Sequence, residues 1–417
     1  MLVSRNGYTD SLVLEGRLLG GDPVAVTVEN GTIVRIEPAG ATHRVLSPAF
    51  VDPHVHLRTP GREDEETIAS GTAAAAAGGY CAILAIPNTD PVVDSAAVLG
   101  SLLETARRDA LVPVGFMASI SKGQRGEELT EMGELADAGA VGFTDDGHPV
   151  VSAALLWRAL QYSEVAGRPL ALHCEEPTLS RSGHMHDGQL SAELGIAGWP
   201  SIAESVMVER DLALAAYEAT SLHLMHLSAH ESVAALRRAR SDGANVTAEV
   251  TPHHLVLTDE AVRSLDPNTK MNPPLGTAHD REALLDALRD GTITCIATDH
   301  APHSREEKDA PFEAAPFGVT GLETSFAALN THLVEPGLLS LETLLERLSG
   351  GPARAFGLPE PKVEVGARAN LVLLDLEEEW TVTEAGFRSR SANSWLLDQR
   401  LRGRVVTTVA DGRRVHG

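Results

Sequence analysis

Residues 48–56 read Pro48-Ala49-Phe50-Val51-Asp52-Pro53-His54-Val55-His56, an apolar run that ends in two histidines one residue apart. Such a run, bounded by turn formers, reads as a buried strand. Residues two apart on a strand point the same way, so His54 and His56 can grip one ion from one side. A lone His-x-His is a weak signal, and the chain carries its own control. His184-Met185-His186 has the same spacing but follows no apolar run and sits in a Gly/Ser/Asp-rich loop.

Working outward from 48–52, seven more short apolar runs follow, at 81–86, 112–117, 141–144, 170–172, 222–225, 246–250 and 293–298. Helical patterns separate them, for example at 65–77, 95–108, 153–166, 205–219, 232–240 and 281–289. Eight strands alternating with helices predict an α/β fold, a closed (β/α)₈ TIM-type barrel. An open doubly wound sheet is the alternative, but no G-x-G-x-x-G follows the first strand. The first and last stretches are strand-rich and punctuated by glycine, as in Asn30-Gly31 and Asp411-Gly412, which suggests one small β-sandwich built from both termini. The expected division is 1–47 and 361–417 for that unit and 48–360 for the barrel, with residues 322–358 as further helices beside it.

In such a barrel the C-terminal strand ends meet at one mouth. The fourth run ends at Phe143-Thr144-Asp145-Asp146-Gly147, the fifth at His173, the sixth at His226 and the eighth at Asp299. Four histidines and two aspartates would converge there, the composition of a binuclear metal site. Satisfied core histidines would rarely all fall at strand ends. Between Asp145 and Asp146 the pattern leaves open which one ligates and which one forms the turn before Gly147. His253 and His254 follow the seventh run. With six better-placed ligands assigned, they are expected to be structural or to support the ligands.

Composition narrows the setting. Of 417 residues, 43% are hydrophobic, enough for a sizeable core. The 34 Lys and Arg against 58 Asp and Glu leave a net charge of −24, which argues against nucleic acid or an anionic membrane as partner. Cys81, Cys174 and Cys295 are few, odd in number and widely spaced, so neither a disulfide framework nor a cysteine metal site is expected. With no signal-like start and no membrane-length apolar run, the expected location is the cytoplasm.

The motifs D-P-H-V-H-L-R, P-N-T, F-T-D-D-G, H-C-E, H-L-S, A-E-V-T-P-H-H, K-M-N-P-P-L and A-T-D-H-A-P-H run in this order from about Ser47 to Gly321. Together they resemble the dihydroorotase branch of the amidohydrolase superfamily. The resemblance implies two Zn²⁺ ions per subunit, the first held by His54, His56 and Asp299, the second by His173 and His226. Asp146 and a hydroxide would join them. It implies that Asp299 moves protons, and that His56, Arg58, Asn88, Asn272, His303, Phe317 and Gly318 contact the substrate. Arg58 lies two residues beyond His56, so its side chain should lean into the same mouth. The implied activity is reversible interconversion of N-carbamoyl-L-aspartate and (S)-dihydroorotate in pyrimidine biosynthesis, with room for a homodimer and for association with aspartate transcarbamoylase. Thr59 and His230 depart from the pattern at positions where relatives often carry an acidic residue and a lysine. The rivals are a hydantoinase- or allantoinase-type ring hydrolase and a non-catalytic relative acting as a transcarbamoylase scaffold. The second would usually have lost metal ligands.

Overall fold

The computed structural model of the chain describes residues 1–5, 7 and 11–417. Its centre is a ring of parallel segments in chain order. Phe50–Val55 pairs with Tyr80–Ala85, which pairs with Val114–Phe116. Ala118 then bridges to Phe143, and Phe143 to Leu170. Ala171–Leu172, Leu222–Leu224, Val246–Val250 and Cys295–Ile296 follow side by side. A bridge from His300 to Val55 returns to the start, with the His56 amide donating to the His300 carbonyl. Every residue of the first two strands is buried, as parallel strands with both faces covered require.

Helices line the outside, and one continuous apolar core joins them to the ring. Ala153–Ala166 forms as expected. The helix expected from residue 65 begins instead at Ile68, because Thr67 caps it: its hydroxyl accepts from the Ser70 amide, and Ser70 returns the bond. That frees Glu65 and Glu66 from the helix. The fourth segment is shorter than expected and contributes one bridging residue on each side before Gly147 turns the chain at φ 79°.

The two ends of the chain build a seven-stranded mixed sheet. Its order is Arg413–His416, Arg400–Ala410, Leu371–Thr381, Val45–Pro48, Ser11–Leu18, Pro23–Glu29, Thr32–Pro38. Asn30 and Gly31 both take positive φ, the conformation a tight hairpin needs. The outer strand does not end in solvent. The Ile33 amide donates to the Ala367 carbonyl, and the Ala369 amide to that of Gly31. Where a two-sheet sandwich was expected, a single sheet thus rolls onto its own lead-in segment and encloses Leu14, Val26, Val28, Ile33, Leu46, Leu371 and Leu373. Val3, by contrast, pairs with Val114 of the ring. Among the described residues, no helix is long and apolar enough to cross a membrane.

Candidate metal centre

Five of the ring segments deliver polar residues to the same end. His54 and His56 come from the first strand, Asp146 from the turn after the fourth segment, His173 and His226 from just past the fifth and sixth, and Asp299 from just past the last. All six are buried, none more than 8% exposed. The carboxylate of Asp146 lies between two histidine pairs. Its Oδ2 is 3.5 Å from His54 Nε2 and 3.6 Å from His56 Nε2. Its Oδ1 is 3.3 Å from His226 Nε2 and 3.6 Å from His173 Nδ1. Asp299 Oδ1 completes the first side, 3.1 Å from His56 Nε2 and 3.4 Å from His54 Nε2. His226 and Asp299 take positive φ, 29° and 48°, a strained backbone of the kind that collects at functional sites.

These groups fit a cation. His54 Nε2 is fully buried, aims into the cluster and has no hydrogen-bond partner among the described residues. His54 and Asp146 form one three-ligand group with His226, and His54 and His56 another with Asp299. Burial opposes charge on His54, Asp146, His226 and Asp299. Even so, the histidines hold Asp146 well below the usual carboxylate range and lower Asp299. The facing carboxylates in turn raise His54 and His226. So much opposed charge is kept out of water because each sign stabilises the other, and an ion could take the same place.

Asp145 is not part of this cluster. Its carboxylate accepts from the Ile120 and Ser121 amides and the Ser121 hydroxyl, and burial pushes it up to about 6. It closes the turn that aims Asp146. Lys270 is also outside. Its Nζ donates to the carbonyls of Glu313 and Ala315 at 2.9 and 2.7 Å and lies over the Phe317 ring. His254 is satisfied by Thr251 Oγ1 and the Pro273 carbonyl, whereas His253 is buried with Nε2 unpartnered among the described residues. Met185 and His186 pair with Gly198 and Trp199 in a two-stranded excursion away from the ring.

Beside the cluster lies a second constellation. Arg58, at φ 54°, places Nη2 3.2 Å from His303 Nε2. His303 Nε2 is 2.8 Å from the Phe317 carbonyl. Gly318 is bonded through its amide to the Lys270 carbonyl, and at φ 107° a Cβ there would sit 2.6 Å from Ala301 Cβ, so only glycine fits. Asn88 Oδ1 is 2.9 Å from His56 Nδ1, and the buried Asn272 Oδ1 has no partner among the described residues.

Two residues here were missed in the sequence. Glu65, 1% exposed, lies 3.2 Å from Arg58 Nε and 3.2 Å from His303 Nδ1, and accepts from Arg62. Glu249 lies 2.7 Å from His54 Nδ1 and 3.0 Å from His223 Nε2. Burial would raise Glu249, but His54 and His223 bring it down to about 2. The signal for Glu249 was a lone charge inside the short strand Val246–Val250. Glu65 left no comparable mark.

A family model described as dihydro-orotase-like matches residues 43–232. A dihydroorotase of Caldanaerobacter subterraneus subsp. tengcongensis is 43% identical over 373 residues, 89% of this chain and 86% of that protein. One from Anaeromyxobacter sp. (strain K) is 48% identical over 378 residues, 90% of this chain and 87% of its own. Among solved structures, the L-hydantoinase (dihydropyrimidinase) from Arthrobacter aurescens superposes with a TM-score of 0.85 at 26% identity, covering 96% of this chain and 94% of that one. The dihydropyrimidinase from Brevibacillus agri, at 22% identity and a TM-score of 0.81 over 96% and 94%, shares the fold.

Proposed function

The chain belongs to the dihydroorotase family, and we propose on that premise that it interconverts N-carbamoyl-L-aspartate and (S)-dihydroorotate, the cyclic-amide step of pyrimidine biosynthesis. The observation that carries the reading is the Asp146 carboxylate, with one oxygen turned to each histidine pair. We read the ring of eight parallel segments as a (β/α)₈ barrel over 48–360. We read the six converging side chains as those that would hold two zinc ions, His54, His56 and Asp299 the first and His173 and His226 the second, with Asp146 shared between them. Imidazole and carboxylate donors suit zinc.

Ions bound there supply Lewis acidity, lowering the pKa of a bound water toward about 7 and drawing charge from a carbonyl oxygen. The chain's own residues do the rest. Asp299, ionised in the resting site, accepts the proton of the attacking water and gives it to the ring nitrogen as the C–N bond breaks. In ring closure the same acid runs the transfer backwards. Arg58 forks onto the substrate carboxylate, a charge-assisted contact that offsets the repulsion of a chain this acidic. Glu65 holds Arg58 and His303 in place. Asn88, Asn272, His303 and the backbone at Phe317 and Gly318 orient the ring, and His56 borders both halves of the site.

The reading places the enzyme in the cytoplasm and leaves room for a homodimer and a complex with aspartate transcarbamoylase, which sedimentation alone and with that enzyme tests. Likeness to a hydantoinase makes hydantoin the comparison substrate. Purified protein should contain about two zinc ions per chain, turn over dihydroorotate in preference to hydantoin, lose activity on chelation and regain it with zinc. Preference for hydantoin, or activity indifferent to chelation, overturns the proposal.

A further inference from the structure

A line of hydrogen bonds leaves the metal centre on the side away from the mouth and runs down the inside of the ring. His54 Nδ1 lies 2.7 Å from Glu249 Oε1, Glu249 Oε2 lies 3.0 Å from His223 Nε2, and His223 Nδ1 lies 2.8 Å from Thr247 Oγ1. His54 and Glu249 are 0% exposed and His223 is 1%. The line ends at a cavity of about 640 Å³ at the N-terminal end of the ring, lined by His223, Thr247, Asn245, Arg168 and Met1.

We propose that Glu249 and His223 are positioning residues that hold His54 in the one ring orientation and tautomer able to bind a metal ion. The inference rests on the metal-centre reading above. A carboxylate is an acceptor only, so a Glu249 bonded to both rings fixes a proton on His54 Nδ1 and another on His223 Nε2. His54 Nε2 is then left with its lone pair aimed at Asp146 and Asp299. Partners of this kind raise a ligand's basicity as well as orienting it. Glu249 also accepts from the His226 amide at 3.3 Å, tying the backbone of the sixth strand end to the same carboxylate. His223 keeps Glu249 from swinging, since one oxygen would otherwise lie buried without a donor. The Phe356 ring, edge-on at 4.8 Å, holds the His223 imidazole from below.

The test compares two amides at one position. In His223→Gln the side-chain nitrogen reaches the place of Nε2 and can still donate to Glu249. In His223→Asn it reaches only the place of Nδ1. Each protein is equilibrated against a series of chelator-buffered zinc concentrations, and bound metal is counted by mass spectrometry. We expect His223→Asn to lose one zinc equivalent at free zinc about 10–100-fold higher than the parent does. The second equivalent, on His173 and His226, should be retained, and His223→Gln should stay within about threefold of the parent on both. A general structural defect would weaken both ions and lower the melting temperature of the metal-free protein. If neither amide variant folds, Glu249→Met decides by the same count. Its side chain keeps the length but offers no oxygen to His54 Nδ1, so it should lose the same equivalent. Two zinc ions held equally by parent and variants overturn the inference alone. A parent that takes up no zinc overturns the metal reading beneath it.

Discussion

Asp146→Asn is the sharpest perturbation the site offers, because it is isosteric and both oxygens of the residue are in use. In the present arrangement one oxygen faces His54 and His56 at 3.5 and 3.6 Å, and the other faces His226 and His173 at 3.3 and 3.6 Å. An amide must turn its NH₂ toward one pair or the other, so one ion loses a ligand whichever way it rotates. A charge pair at 4 Å and an effective dielectric near 20 is worth about 4 kcal/mol, so a dication facing a lost carboxylate charge forgoes roughly 8 kcal/mol before water compensates. If re-solvation returns somewhat more than half, about 3 kcal/mol remains, on the order of 100-fold in affinity. The measurement is zinc per chain across buffered free zinc, with apo-protein reconstituted in carbonate-free buffer. One ion should be retained and the other bound about 100-fold more weakly. Lys270→Gln, the control, should keep both, since that ammonium is spent on the Glu313 and Ala315 carbonyls. Two tightly held ions in Asp146→Asn, or a parent that needs bicarbonate to regain activity, would refute the direct aspartate bridge.

Three other outcomes follow from the same geometry. Asp299→Asn can still offer an oxygen to an ion but cannot carry a proton, so turnover should fall roughly 10²–10⁴-fold while the protein still melts cooperatively; a rate within tenfold of the parent counts against the proton role. Arg58→Met keeps the stem and removes the fork. It should cost about 1.5–3 kcal/mol in kcat/KM for dihydroorotate and much less for a ring analogue without the carboxylate, and equal losses on both would make Arg58 structural. Burial pushes the amines of Lys308 and Lys270 down to about 7 and 8, where both donate to backbone carbonyls around 313–316. Between those values and the ordinary 10.5 the unfolded chain binds more protons than the folded one, so stability rises with pH. Hydrogen exchange in 305–318, corrected for intrinsic rate, should therefore slow from pH 7 to 9, and faster corrected exchange would show the sign to be wrong.

The six proposed ligands were legible in the sequence for a geometric reason. A parallel ring sends all its strand ends to one mouth, so polar residues scattered from 54 to 299 could be grouped before any contact was known. Asp145 against Asp146 was not legible from the strand pattern, because both follow the same strand, and the family resemblance alone chose Asp146. What separates them is the Ser121 hydroxyl and two backbone amides that claim Asp145 from a loop 24 residues away. Glu65 was hidden for a related reason. It reads as the first residue of a helix, and only the cap at Thr67 leaves it outside, free to turn toward Arg58 and His303. The rolled sheet was equally out of reach, since Thr32 finds its bridge partner at Arg368, with the whole ring of parallel segments between them in sequence.

The two His-x-His pairs show how far spacing alone can be trusted. His54 and His56 sit on a strand bonded on both sides, to Tyr80–Ala85 and through Val55 to His300, and this fixes which way their rings point. His184 and His186 have the same period, but their short strand pairs only with Gly198–Trp199. There Met185, the residue between them, is the one turned inward, packed with Leu190, Val262, Met271 and Phe312. Alternation thus sends the Met185 side chain into an apolar cluster and turns its neighbours away from it. The same motif therefore points its histidines into the ring in one place and away from the local core in the other. The residue between the histidines is apolar and buried in both, so what distinguishes the two beforehand is the run behind the pair: Phe50-Val51 leads into the first, and Ser182-Gly183 into the second.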